Sequence, residues 1–191
     1  AALKSGAAGI SSWDEELLSQ GMVITEARQR ALERLVPRLH ATFERFGGLA
    51  VQVGFSTGWA AGRTFKDALA AHAERDRLRG TTTAGPHRAD VSLRRDHRIA
   101  RETLSRGQQK LTAVAMIVSQ LQLLQDEQGL RALLLLDDPA AELDEKNLQR
   151  LFDELASLRC QMIATSLTPE TALFQAPKAT FHVEQGRVIR L

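Results

Sequence analysis

The sequence predicts an α/β fold, a parallel sheet with flanking helices, joined to a mostly helical second lobe. Three observations point there. From Leu104 onward, helical and strand patterns alternate, the order that builds parallel sheets. The run Ala132 to Asp137 is apolar until it ends in acid, which reads as a strand buried on both faces. The first hundred residues instead read as mostly helical, with apolar side chains at three- and four-residue steps over 13–46.

In chain order, residues 13–46 set Leu17, Leu18, Ala27, Ala31, Leu32, Leu35, Leu39 and Phe43 at helical spacing. Pro37 is expected to kink or divide that stretch, and Gly47-Gly48 to end it. Leu49, Val51, Val53 and Phe55 alternate as a half-buried strand does. A helix candidate over Thr64–Arg79 precedes a turn at Gly85-Pro86 and a short strand carrying Val91 and Leu93. The next helix, about 105–126, stops near Gly129. The one after it, about 144–157, aligns Leu148, Leu151, Phe152 and Leu155 behind Asp144 as N-cap. A strand at 160–165 and a short helix opened by Thr168-Pro169 follow. A hairpin then joins Phe181–Glu184 to Arg187–Leu191 across Gln185-Gly186.

Of the 191 residues, 43% are hydrophobic and 25% charged, the balance of an ordinary globular protein. Apolar runs such as Ala132–Leu136 fall far short of a membrane span, and no signal peptide is read at the start. A cytoplasmic protein without membrane partners is expected. Cys160 is the single cysteine; it excludes an internal disulfide and reads as strand packing. The chain opens Ala-Ala-Leu rather than with methionine, so a fragment of something longer is expected. Net charge is +2, yet Arg75–Lys110 holds ten Lys and Arg against four Asp and Glu. That window reads either as a solvated surface or as a footprint for phosphate backbones.

Two stretches carry chemistry. "LLLLDDPAAELD", residues 133–144, delivers Asp137 and Asp138 to the carboxyl end of a parallel strand, where open α/β sheets bind ligands. Adjacent strand residues point to opposite sides, so the two acids divide roles instead of sharing one metal. Asp137 suits a Mg²⁺ shell. Asp138, on the turn, suits orienting or deprotonating a water that attacks a γ-phosphate. "LSRGQQK", residues 104–110, opens the long helix before that strand. Ser105 and Gln108 have capping-box spacing, which leaves Gly107 unexplained. A glycine at the second helical position admits another surface close to the backbone. With the orphan N–H groups, the hydroxyl of Ser105 and Lys110, the helix start becomes an anion site.

Of the five histidines, His40, His72, His97 and His182 have no ligand spacing and read as surface or packing residues. Trp13 and Trp59 read as packing anchors; without tyrosine, an aromatic path for single strands is not expected.

Together "LSRGQQK", "LLLLDDPAAELD" and "GPHRAD" at 85–90 resemble the RecF family of bacterial recombination mediators, SMC-like ABC ATPases. The resemblance implies a helical lobe over 1–81 and the C-terminal half of an ABC ATPase over 82–191. It implies that Asp137 is the Walker B metal ligand and Asp138 the catalytic acid. Ser105, Arg106, Gly107, Gln108 and Lys110 would bind ATP held by the opposite subunit of a homodimer. Glu142 and Asp144 would belong to the D-loop that crosses the interface. His87, Arg88, Arg94 and Arg95 would lie near that composite site or near DNA, with the choice left open. ATP and Mg²⁺ are the implied cofactors. Gapped DNA with single-strand/double-strand junctions, RecR, RecO and RecA are the implied partners.

Departures from the family are specific. Ala141 stands where Ser usually precedes Glu-Leu-Asp, and Ser166 where cassette ATPases place a switch histidine. No G-x-x-x-x-G-K-[ST] loop occurs; "GWAAGRT" at 58–64 has its glycines too close and Arg in place of Lys. The phosphate-cradling Walker A loop is therefore expected in a part of the protein outside this chain, which alone is expected to be inactive. Two further readings stand beside this one: a transporter-associated ATPase subunit, and a non-catalytic interaction module that keeps the fold.

Overall fold

Helix α1, Ile10–Arg45, opens the structure, a computed structural model describing residues 10–139, 143–167 and 179–191. The chain forms two compact units, Ala1–Thr112 and Ala113–Leu191.

In the first unit, α1 runs unbroken through Pro37, which does not divide it. Pro37 is exposed, as is Glu33, whose carbonyl the missing N–H would have met; water can take that bond, so the interruption is tolerated. Arg38 Nη1 also reaches back to the carbonyl of Arg34, at 3.4 Å. The inner face of α1 buries Leu39 and Phe43, followed by Phe46 just past its end. Its other end differs from expectation: Trp13 is 67% exposed rather than packed as an anchor. Gly48, at φ 73°, closes the helix by donating its N–H to the Phe43 carbonyl at 3.1 Å.

Strand β1, Gln52–Ser56, leads to α2, Phe65–Arg79. Thr64 caps α2 by accepting from Asp67 N at 3.1 Å. A 3₁₀ turn, Pro86–Arg88, enters β2, Asp90–Arg95, which pairs antiparallel with β1 in the register Val53 to Leu93. Asp96 and His97, both at positive φ, make the two-residue turn to β3, Arg98–Ile99. A one-turn helix α3, Ala100–Thr103, then precedes α4, Arg106–Gln128.

In the second unit, β4, Leu133–Leu136, pairs parallel with β5, Gln161–Ala164, with α5, Glu145–Ala156, between them in sequence. Leu151, Phe152 and Leu155 of α5 pack with Val118 of α4 and Leu158. Leu134, Leu136 and Met162 join them from one face of the strand pair. The other face departs from the sequence reading. Leu133, Leu135 and Ile163 are 55%, 67% and 51% exposed, so β4 is half-buried rather than buried on both sides. The period-2 geometry sends alternate leucines away from α4 and α5. The expected hairpin is present as β6, Phe181–Glu184, and β7, Arg187–Arg190. The helix expected at Thr168-Pro169 lies outside the described residues.

Candidate functional site

The start of α4 adopts the capping box in full. Ser105 N donates to Gln108 Oε1 at 3.0 Å, and Gln108 N donates to Ser105 Oγ at 3.3 Å. Ser105 is thus the N-cap and Gly107 the second helical residue. Gln109 braces the entry from behind, its Nε2 donating to the carbonyls of Arg101 and Leu104 at 3.1 and 3.0 Å. Ser105 and Arg106 are exposed, whereas Gly107, Gln108 and Lys110 are half-buried. Ser105 Oγ accepts from the helix, so its proton remains available to an incoming acceptor. The five residues expected to meet a phosphate therefore sit together at one capped helix start.

The acid pair belongs to the second unit. Asp137 follows β4 directly and is exposed; Asp138 comes next at φ 41°, a left-handed conformation costly for a residue other than glycine. Asp and Asn tolerate it best, because their short polar side chains bond locally. Thr165, just past β5, ties both acids down: its hydroxyl donates to Asp137 Oδ1 at 2.7 Å and accepts from Asp138 N at 3.1 Å. Sequence reading of 164–170 looks for an imidazole at Ser166 and passes over Thr165. The signal is weak, because one hydroxyl gains meaning only when β5 lies beside β4.

Among the described residues, no group of three or more His, Cys, Asp and Glu could hold a metal. One exposed carboxylate fits Mg²⁺ nonetheless, since that ion is commonly held by one or two carboxylates together with substrate phosphates and waters. Asp144 is committed locally: Asn147 N and Nδ2 each donate to one of its carboxylate oxygens at 2.8 Å, capping α5. Glu142 lies outside the described residues.

The basic window resolves into separate fates. Arg94 Nη1 donates to the His97 carbonyl at 3.1 Å, and Arg95 pairs with Asp96 at 3.8 Å. Arg77, Arg79, Arg88, Arg98 and Arg101 are exposed. His87 is exposed as well, with Nε2 2.8 Å from the Thr82 carbonyl. Arg88 and His87 ride on a tightly built turn: Arg28 Nη1 donates to the Pro86 carbonyl at 2.6 Å, and Gly85 N to the Gly58 carbonyl at 3.1 Å. This explains the first glycine of "GWAAGRT". A Cβ at Gly58 would lie 2.0 Å from the Gly85 carbonyl oxygen. Trp59 beside it stacks on Phe65, centroids 4.7 Å apart, and so packs as expected.

A polar cluster at the end of α2 has no counterpart in the sequence reading. Asp76, only 4% exposed, accepts from Thr83 Oγ1 at 2.6 Å and Thr83 N at 3.0 Å. Arg75 Nη2 donates to Thr83 Oγ1 at 2.8 Å and lies 3.0 Å from His72 Nδ1. Burial alone pushes the Asp76 pKa up, but the two Thr83 bonds, with His72 and Arg75, outweigh it and hold the carboxyl below its ordinary 3.8. The cluster pins the segment that leads into Gly85 and Pro86. Acid at a helix C-terminus opposes the dipole, which was the one hint available at Asp76.

Residues 80–188 match the model of the RecF/RecN/SMC N-terminal domain. The chain is 36% identical over 183 residues to the DNA replication and repair protein RecF of Shewanella loihica, covering 94% of itself and 51% of that relative. It is 37% identical over 191 residues to the protein of the same name from Pseudomonas fluorescens, covering 95% and 51%. The chain thus spans about half the length of the curated relatives it matches. A solved structure of the recombination mediator RecF with ATP superposes with a TM-score of 0.79 at 22% identity, covering 99% of this chain and 53% of that one. A head domain of SMC gives 0.51 at 16% identity, covering 85% and 43%. These two likenesses show a shared fold. Among the described residues, no helix is long and apolar enough to cross a membrane.

Proposed function

The chain belongs to the RecF/RecN/SMC N-terminal domain family, and from that premise we propose that it supplies half of an ATP site completed by a second copy of the protein. The observation that carries the proposal is the acid pair at the carboxyl end of a parallel strand, with Asp138 turned into the left-handed region.

In this reading Ser105, Gly107 and Gln108, with Arg106 and Lys110, receive the γ-phosphate of ATP held by the opposite subunit. The Gly107 backbone admits the phosphate, and the capping box keeps the helix start rigid while Ser105 donates its hydroxyl proton. Asp137 would hold Mg²⁺, whose positive charge would offset that of the phosphates. Asp138 takes the proton of the attacking water or orients that water. Glu142 and Asp144 lie along the crossing between subunits, Asp144 by fixing the start of α5. Because ATP bound by one subunit is also contacted by the other, part of its binding free energy becomes dimerisation free energy, and hydrolysis releases the pair.

Exposed cations of the first unit, Arg88 with Arg77, Arg79, Arg98 and Arg101, make salt-sensitive contacts to DNA phosphates and carry little sequence preference. The division into a lobe over 1–81 and an ATPase half over 82–191 is part of the same proposal. So are gapped DNA, RecR, RecO and RecA as partners, and a cytoplasmic setting. Support comes from the family and from the motifs already described.

The test is Asp138→Asn in the full-length protein. The amide keeps the size and the left-handed tolerance of aspartate but cannot accept a proton. ATP hydrolysis should fall roughly 100-fold or more while ATP binding persists. Hydrolysis at the wild-type rate would remove the catalytic assignment of Asp138.

A further inference from the structure

We propose that Thr165 is a positioning residue, whose single hydroxyl sets the side chain of Asp137 and the backbone of Asp138 together. Its consequence for hydrolysis rests on the ATPase reading above; its geometry does not.

A threonine hydroxyl has one proton to give and lone pairs to receive. Here the proton goes to Asp137 Oδ1 at 2.7 Å, and the Asp138 N–H arrives at 3.1 Å. The N–H of Thr165 itself donates to the Leu136 carbonyl at 2.9 Å. That third bond extends the parallel ladder one step past its last pair, Leu136 with Ala164. One residue thus grips three consecutive positions, 136, 137 and 138, across the strand pair.

Each grip has a purpose. Asp138 sits at φ 41° and needs an outside partner to stay in that well. The bond to its N–H is such a partner, and it comes from a residue 27 positions away. For Asp137, one carboxylate oxygen is occupied by the hydroxyl, which fixes the plane of the carboxylate. The β-branch of threonine restricts χ1, so the hydroxyl is held where both acids need it. Partners of this kind orient ligands without touching the cation or the reacting water. They also make the end of β5 a mechanical handle, since a displacement there moves both acids together.

The test compares Thr165→Val, which keeps the shape and loses the hydroxyl, with Thr165→Ser, which keeps the hydroxyl, in the full-length protein. Two readouts are taken: hydrogen exchange at the Asp138 amide without nucleotide, and the Mg²⁺ dependence of ATP hydrolysis. In Thr165→Val the amide should exchange about tenfold faster or more. Hydrolysis should drop, or its Mg²⁺ requirement rise, by roughly 10- to 100-fold. Thr165→Ser should recover both, and nucleotide binding without Mg²⁺ should not change in either variant. Wild-type exchange and wild-type Mg²⁺ dependence in Thr165→Val would overturn the inference. Should that variant fail to fold, the wild-type amide decides: exchange at the rate of an unprotected exposed amide also overturns it. If Asp138→Asn hydrolyses ATP normally, the catalytic assignment of Asp138 falls, while faster exchange in Thr165→Val still upholds the role of Thr165.

Discussion

Ser105 and Gln108 bond to each other in both directions, backbone to side chain each time, at 3.0 and 3.3 Å. This reciprocal cap lets α4 begin abruptly at an exposed serine and carry a glycine in its first turn. Helix stability and function then pull apart at Gly107. Gly107→Ala should raise resistance to denaturant by up to about 1 kcal/mol, because alanine is the better helix former. Ser105→Ala should lower it by about 1 kcal/mol. In the full-length protein both changes should weaken ATP-induced association. A Gly107→Ala protein that is more stable and associates normally would leave the glycine without a functional reason.

The two glycines of "GWAAGRT" should behave differently. Gly58 has φ 94°, and an added Cβ would meet the Gly85 carbonyl oxygen, Ala89 N and the Arg88 carbonyl carbon at 2.0, 2.8 and 2.9 Å. All three are backbone atoms and cannot swing away. Gly58→Ala should therefore cost about 2–4 kcal/mol. Gly62, at φ 78° with nothing within 4 Å, bears only the backbone penalty. Gly62→Ala should cost about 1–2 kcal/mol. Urea unfolding of both variants checks the contrast, and equal losses would contradict the tight turn at 85–89.

Asp76 should give the protein a titratable share of its stability. Its folded pKa lies below 3.8, so its contribution is fully present above the unfolded value. That contribution is lost as pH falls through the depressed folded value. At neutral pH, Asp76→Asn should cost about 1–3 kcal/mol, since an amide oxygen accepts more weakly and Thr83 loses its charged acceptor. Denaturation of variant and wild type at several pH values should show the gap closing below about pH 4. A gap that stays constant down to pH 2 would mean that the carboxylate charge contributes nothing.

What the sequence reveals follows the range of the interactions. The Ser105–Gln108 cap, the α5 stripe behind Asp144 and the Gln185-Gly186 hairpin each depend on residues a few positions apart. All three are legible without a fold. Thr165 is not, because its partners Asp137 and Asp138 lie 28 and 27 residues away. The Asp76–Thr83 pair is closer in sequence but resembles any polar helix end followed by a turn. The exposure of Leu135 is illegible for another reason. Apolar runs report a strand's preference for burial, and whether a face is covered depends on what packs there. Likewise Pro37 signals a lost hydrogen bond correctly, yet solvent on that side of α1 makes the loss tolerable.

In the proposed function, Ser105–Lys110 forms half of a nucleotide site completed across two subunits. Sedimentation of full-length Ser105→Arg, with and without ATP, tests it most directly. Ser105→Arg should still bind ATP as a monomer, with the ATP-dependent dimer absent, because the arginine fills the space for the incoming phosphate. A dimer that forms on ATP addition as in the wild type would contradict it.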